Sequence, residues 1–171
     1  MKRAQTKTIS VEVVKEMLSY DPDSGVFTWK VSRGRSPAGA IAGTKHARGY
    51  VVIKINKKDY LAHRLAWLLH TGKMPTSEID HINGVTSDNR IANLRDVSHR
   101  ENLRNTSLFR TNRSGHPGVR FVSRRGHWIA EITNGDSAIY LGSFKTMEEA
   151  RDARKKAEEM LGYHPNHGRA A

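Results

Sequence analysis

The spacing of apolar positions changes several times along this chain, and each change marks an element. Residues 11–18 bring Val11, Val14, Met17 and Leu18 together at helical spacing behind Ser10, a cap residue. Asp21-Pro22-Asp23-Ser24-Gly25 is a turn, because proline presets φ and glycine tolerates positive φ. Val26-Phe27-Thr28-Trp29 then reads as a strand. Residues 31–49 lose the pattern and are rich in Gly, Ser and basic side chains, among them Arg33, Arg35, Lys45 and Arg48. They read as a loop able to lie along a phosphate backbone. A β-branched strand follows over 50–55, turned back by Asn56-Lys57-Lys58-Asp59. Residues 61–70 have helical spacing, with Leu65, Ala66 and Leu69 inward and Gly72 and Pro75 as stops.

Beyond that helix, Ile79-Asp80-His81-Ile82 places a polar pair between apolar residues and runs into the turn Asn83-Gly84. A second short strand is expected over 93–97, and Ser98 with Glu101 forms a capping box opening a helix. The result is a strand–loop–strand–helix unit. Residues 106–116 are small, polar and basic, with the chemistry of a flexible linker. Three strands are expected at 118–122, 128–132 and 138–141, joined by turns at 123–126 and Asn134-Gly135-Asp136. Thr146 and Glu149 cap a last helix whose inward face carries Met147, Ala150, Ala153, Ala157, Met160 and Leu161, ended by Gly162. The fold class is therefore α+β, closing with a three-stranded antiparallel sheet packed on one helix.

Composition narrows the partners. The 171 residues carry a net charge of +12, with a sequence pI near 10.2, which points to a polyanion and above all to nucleic acid. Residues 1–110 hold 19 Lys and Arg against 10 Asp and Glu, whereas residues 111–171 hold 10 against 7, so the two parts are expected to meet the polyanion differently. Cysteine is absent, which excludes disulfides and Cys-based zinc sites. Any metal must be held by Asp, Glu, Asn or His, and an oxygen-rich set suits Mg²⁺ or Mn²⁺. No apolar run reaches a membrane-spanning length and the N-terminus lacks a signal-peptide core, so a cytoplasmic protein is expected.

Hydrolysis of a phosphodiester needs an activated water, a cation for the charge on phosphorus and help for the leaving oxygen. An adjacent carboxylate and imidazole can divide the first two tasks if they splay apart at a strand end. Asp80-His81 stands at such an end, and Asn102, in the first turn of the next helix, could bring a carbonyl oxygen to the same metal. Taken singly, these residues also read as an incidental dipeptide and a helix-surface amide, and Asn93 as a turn residue.

The runs Leu61-Ala62-His63-Arg64-Leu65-Ala66-Trp67, Ile79-Asp80-His81-Ile82-Asn83-Gly84, Asp88-Asn89-Arg90-Ile91-Ala92-Asn93-Leu94-Arg95 and Glu101-Asn102 keep their mutual spacing. Together they resemble the HNH endonucleases, most closely the phage and intron homing group, with a lead-in over 21–29. The resemblance implies a ββα-metal nuclease domain over 1–105. It implies His81 as general base and Asp80 as metal ligand, with Asn93 tying the loop so as to orient His81. Asn102 stands in place of the family's final His as second ligand, an HNN variant suited to Mg²⁺ or Mn²⁺. Arg64 reads as a phosphate contact or a core-edge ion pair, and His63 as structural or DNA-contacting.

Gly118-Val119-Arg120, Trp128-Ile129-Ala130-Glu131-Ile132, Leu141-Gly142-Ser143-Phe144 and Thr146-Met147-Glu148-Glu149-Ala150 resemble the Apetala/ethylene-response-factor DNA-binding domain. This implies a recognition module over 117–163, after a basic linker at 106–116 and before a tail at 164–171. Arg120, Arg124, Arg125, Trp128 and Tyr140 are its candidate DNA contacts, Trp128 and Tyr140 having packing as the alternative. Thr133 and Ala138 stand where that family would carry arginine. The combined reading is a metal-dependent, site-preferring DNA endonuclease of homing type, for which duplex DNA is the partner and a monomer suffices. A DNA-binding regulator with an inactive nuclease domain is the alternative, and an RNA-directed protein is a third reading, less favoured without a stacking platform.

Overall fold

The computed structural model describes residues 9–135 and 137–169. Residues 1–8 and 170–171, and Asp136 of the second expected hairpin turn, lie outside them. The fold mixes helices with small antiparallel sheets, and the chain divides into two compact units between Val97 and Ser98.

The first unit begins with α1 (Val11–Met17), whose Ser10 side chain accepts from the Val13 amide. The helix stops one residue before the spacing suggests. Leu18 takes extended backbone and pairs with Trp29 while its side chain stays in the core, so β1 (Leu18–Tyr20) and β2 (Phe27–Trp29) form a hairpin around the expected turn. The Gly- and Arg-rich stretch is not a plain loop. It contributes β3 (Thr44–Lys45) to a sheet with β4 (Val51–Ile55) and β5 (Lys58–Leu61), in the order β3-β4-β5. Ile53 and Ile55 are fully buried and Lys54 between them is exposed, as strand alternation requires.

Helix α2 (Ala62–Thr71) buries Ala62, His63, Leu65, Ala66 and Leu68. Its last turn closes on Gly72, left-handed at φ 76, whose amide donates to the Leu68 carbonyl. These side chains join Val14, Leu18, Phe27, Trp29, Ile53 and Ile55 in one core, which also takes Ile79 and Leu94 from a second antiparallel pair, β6 (Glu78–His81) and β7 (Leu94–Val97).

The second unit opens with α3 (His99–Leu103), capped by the reciprocal Ser98–Glu101 bonds. Its sheet consists of β8 (Val119–Val122), β9 (His127–Asn134) and β10 (Ser137–Phe144), with β9 central. A bulge between Tyr140 and Gly142 interrupts the β9–β10 ladder. Helix α4 (Met147–Met160), capped by Thr146 and Glu149, packs on this sheet over Val119 and Ala130. The packed stripe runs through Ala150 and Arg154, leaving Met160, expected inward, 86% exposed. Arg154 can be buried because its guanidinium has partners, the Glu158 carboxylate at 2.8 Å and the Glu131 carbonyl.

The start of the expected linker carries more structure than its composition suggests. Backbone bonds join His164 to Arg104, Gly168 to Thr106 and Leu108 to Arg169, and the Arg169 guanidinium donates to the Asn105 carbonyl at 2.6 Å. Residues 112–116 form a turn in which Asn112 bonds the His116 carbonyl and the Gly115 amide. Among the described residues no helix is long and apolar enough to cross a membrane.

Candidate active site

Antiparallel pairing sets Asp80 opposite Arg95 and His81 opposite Leu94, with His81 the last residue of β6. Both Asp80 and His81 are buried, at 7% and 4% exposure. The Arg95 Nε and Nη2 atoms both donate to the Oδ2 atom of Asp80, at 2.8 and 2.7 Å. This charge-assisted pair fixes the carboxylate's orientation. A carboxylate has about four lone-pair positions, so the contact does not exhaust what Asp80 can accept.

The chain between the strands closes on Asn93. Its Oδ1 accepts from the Asn83 amide at 3.0 Å and its Nδ2 donates to the Asp88 carbonyl at 2.9 Å. Its backbone carbonyl takes the Ile82 amide and its own amide donates to Arg90. Gly84, at φ 75, turns the chain immediately after His81 and donates to the His81 carbonyl at 2.8 Å. Asp88 receives Arg90 and Asn83, and the Arg90 guanidinium chiefly holds its carboxyl down at about 2.

Three rings meet at the site. His63 lies edge-on to His81 with centroids 5.0 Å apart, and Tyr50 is tilted against both, at 5.4 and 6.0 Å. Burial is the main cause pushing His81 below the usual imidazole range, opposed by hydrogen bonding to Asn89 and by the charges of Asp80 and Asp88. His63 is pushed down to about 3 by burial, then by His81 and Arg64. Its Nδ1 is buried without a hydrogen-bond partner. Both imidazoles are therefore neutral at neutral pH, the form a general base requires.

Arg64 donates to the carbonyls of Pro75 at 3.2 Å and Ser77 at 3.1 Å, bracing the connection that leads into β6. The structure thus brings Asp80, His81 and Asn93 together within the first unit, with Arg64 one connection away. Asn102 is half-buried in α3 of the second unit. Sequence reasoning missed Arg95 as the partner of Asp80 and Tyr50 and His63 as neighbours of His81; strand register could have exposed the first.

In the second unit the register sets Glu131 opposite Tyr140 and Arg120 diagonal to Glu131, with 3.4 Å between the Arg120 and Glu131 side chains. Arg120 and Tyr140 are exposed and share the sheet face turned away from α4. Trp128 points the other way. It packs beside Phe121, 5.2 Å between rings, and against the Val119–Ala130–Ala150 core. Arg124 and Arg125 are exposed in the β8–β9 turn.

Comparison with known proteins bears on the first of these sites. Residues 60–104 match the family model for HNH endonucleases. The match spans α2, β6, the Asn93 loop, β7 and α3, about a quarter of the chain, and this likeness supports a nuclease reading. No curated protein and no solved structure matches the chain. HNH nucleases generally use a divalent metal. Among the described residues no group of three or more His, Asp or Glu side chains could cage one. A single buried carboxylate, completed by waters and a substrate phosphate, nevertheless suits a hard divalent ion such as Mg²⁺ or Mn²⁺, which keeps waters and needs few protein ligands.

Proposed function

We propose that this chain is a metal-dependent DNA endonuclease of phage homing type with a site preference. The observation that supports it most is the His81 loop, in which both ends of the Asn93 amide clamp the chain that leaves the imidazole. A neutral, buried His81 held from behind is a suitable base for the attacking water. Asn93 orients it through the backbone. Asp80, steered by Arg95, would hold Mg²⁺ or Mn²⁺, which when bound would supply charge stabilisation to the phosphate. The exposed Arg120 and Tyr140 face, with Arg124 and Arg125, is the recognition surface of an Apetala/ethylene-response-factor-like module, and Arg64 supports the site from the 75–77 connection.

The test uses supercoiled plasmid with Mg²⁺ or with EDTA. Nicking or linearisation should require the metal, and His81→Ala should lower the rate at least about 100-fold while DNA binding persists. Absence of cleavage by the unmodified protein across substrates and metals would favour a DNA-binding regulator instead.

A further inference from the structure

Among the described residues only two other than glycine have positive φ, and they are consecutive: Asn56 at φ 48 and Lys57 at φ 66. They form the tip of the β4–β5 hairpin, where Ile55 pairs with Lys58. Two residues of positive φ are what a tight hairpin of this hand demands, and Asn-Gly is the sequence that meets the demand most easily. Asparagine at the first position fits. Lysine at the second does not, because its Cβ crowds the backbone in the left-handed region. Turn chemistry alone therefore does not account for Lys57, and strain kept at one position points to a use for its side chain.

The surroundings indicate what that use is. Lys54, Lys57 and Lys58 are all exposed. Lys54 faces Asp59 across the hairpin at 3.6 Å, whereas Lys57 and Lys58 have no ion pair among the described residues. The tip is also rigidly mounted. Ile53 and Ile55 are fully buried beneath it, and Arg33, lying over the Trp29 ring at 4.8 Å, donates to the Lys54 carbonyl at 2.8 Å. A fixed backbone beneath a lysine confines the freedom lost on binding a phosphate to that of the side chain itself. The tip of the hairpin, Asn56 and Lys57, lies outside the residues matched to the nuclease family.

We propose that the β4–β5 hairpin is a contact for the phosphate backbone of duplex DNA, with Lys57 held in a strained turn to present its ammonium group. This rests on the DNA-directed reading of the chain. It goes further by assigning a residue and a mode of contact.

The experiment pairs DNA affinity with stability, using the full chain, a fluorescently labelled duplex and EDTA to prevent cleavage. Lys57→Gly relieves the backbone, so the melting temperature should hold or rise. The same change should weaken binding about threefold or more and lower the slope of log affinity against log salt by about 1, equally on duplexes of unrelated sequence. Lys57→Arg should retain the affinity. Lys73→Gln, an exposed lysine after α2, is the control and should leave binding unchanged. Unchanged affinity and salt slope in Lys57→Gly, or a lowered melting temperature, would overturn the proposal. Failure of the unmodified protein to bind any duplex would instead remove the DNA reading as a whole.

Discussion

Asn93 shows at the scale of one residue how a single side chain can hold together the loop that carries the candidate site. Its amide is 7% exposed and serves an N–H and a carbonyl from two parts of one loop. Asn93→Ala should cost about 2–3 kcal/mol in urea unfolding, because it leaves both groups buried and unpaired. Asn93→Asp, which keeps the acceptor and loses the donor to Asp88, should cost a comparable amount. Cleavage should fall more than DNA binding in both. His63 supplies a pH dependence. The unfolded imidazole takes a proton near 6.5, and the folded one only near about 3. Between those values the unfolded chain binds more protons, so stability falls as pH drops through the window. His63→Phe should flatten that acid limb of melting temperature against pH, by at most about 1.4 kcal/mol per pH unit. An unchanged limb would show that His63 is not the group responsible. Asp80, His81 and Asn93 could be singled out as candidates in the sequence because their types and spacing suit the chemistry, and the structure places them together in the first unit. Arg95 could not, because its role comes from the register that sets it across from Asp80.

At the scale of elements, the β1–β2 hairpin acts as a brace for the loop behind His81. Tyr20 stacks on Phe27 and donates to the Asn89 carbonyl at 2.7 Å, while the Ile91 amide donates to Pro22. Burial, then nearby carboxylates, push the Tyr20 hydroxyl up to about 12, so it remains a donor throughout the working range. Gly25, at φ 74, is seated so closely that a Cβ would lie 2.5 Å from the Arg90 nitrogen and 2.6 Å from the Asn89 carbonyl carbon. Gly25→Ala should therefore lower stability by about 2 kcal/mol or more and slow cleavage, read from thermal melts and plasmid assays side by side. Equal activity at full stability would separate this hairpin from the site. Capped helices and alternating strands could be read directly, since a cap box or a period of two is local. The three- and two-residue strands β1 and β3 are too short for any period to register, and they exist because β2 and β4 offer them partners.

Across the whole molecule, charge and chain path carry the reading. The surplus of basic residues falls mainly in the first 110 positions, consistent with a polyanion-binding surface not confined to the C-terminal sheet. Truncation after Gly162 would delete His164, Gly168 and Arg169, the backbone partners of Arg104, Thr106 and Leu108, together with the Tyr163 hydroxyl that donates to the Thr133 carbonyl. It should lower the melting temperature of the second unit and expose residues 104–112 to protease, with the first unit resistant; identical digestion patterns would count against it. Small polar composition suggested a linker here because bonds between residues some sixty positions apart leave no local pattern. That pairing has another consequence. Within the second unit, residues 104–108 lie beside residues 164–169, with Asn105 and Arg169 in direct contact. A segment with its two ends clasped can be lifted out whole and spliced into a surface loop of an unrelated host, or reopened elsewhere and rejoined at the clasp, without pulling its sheet apart.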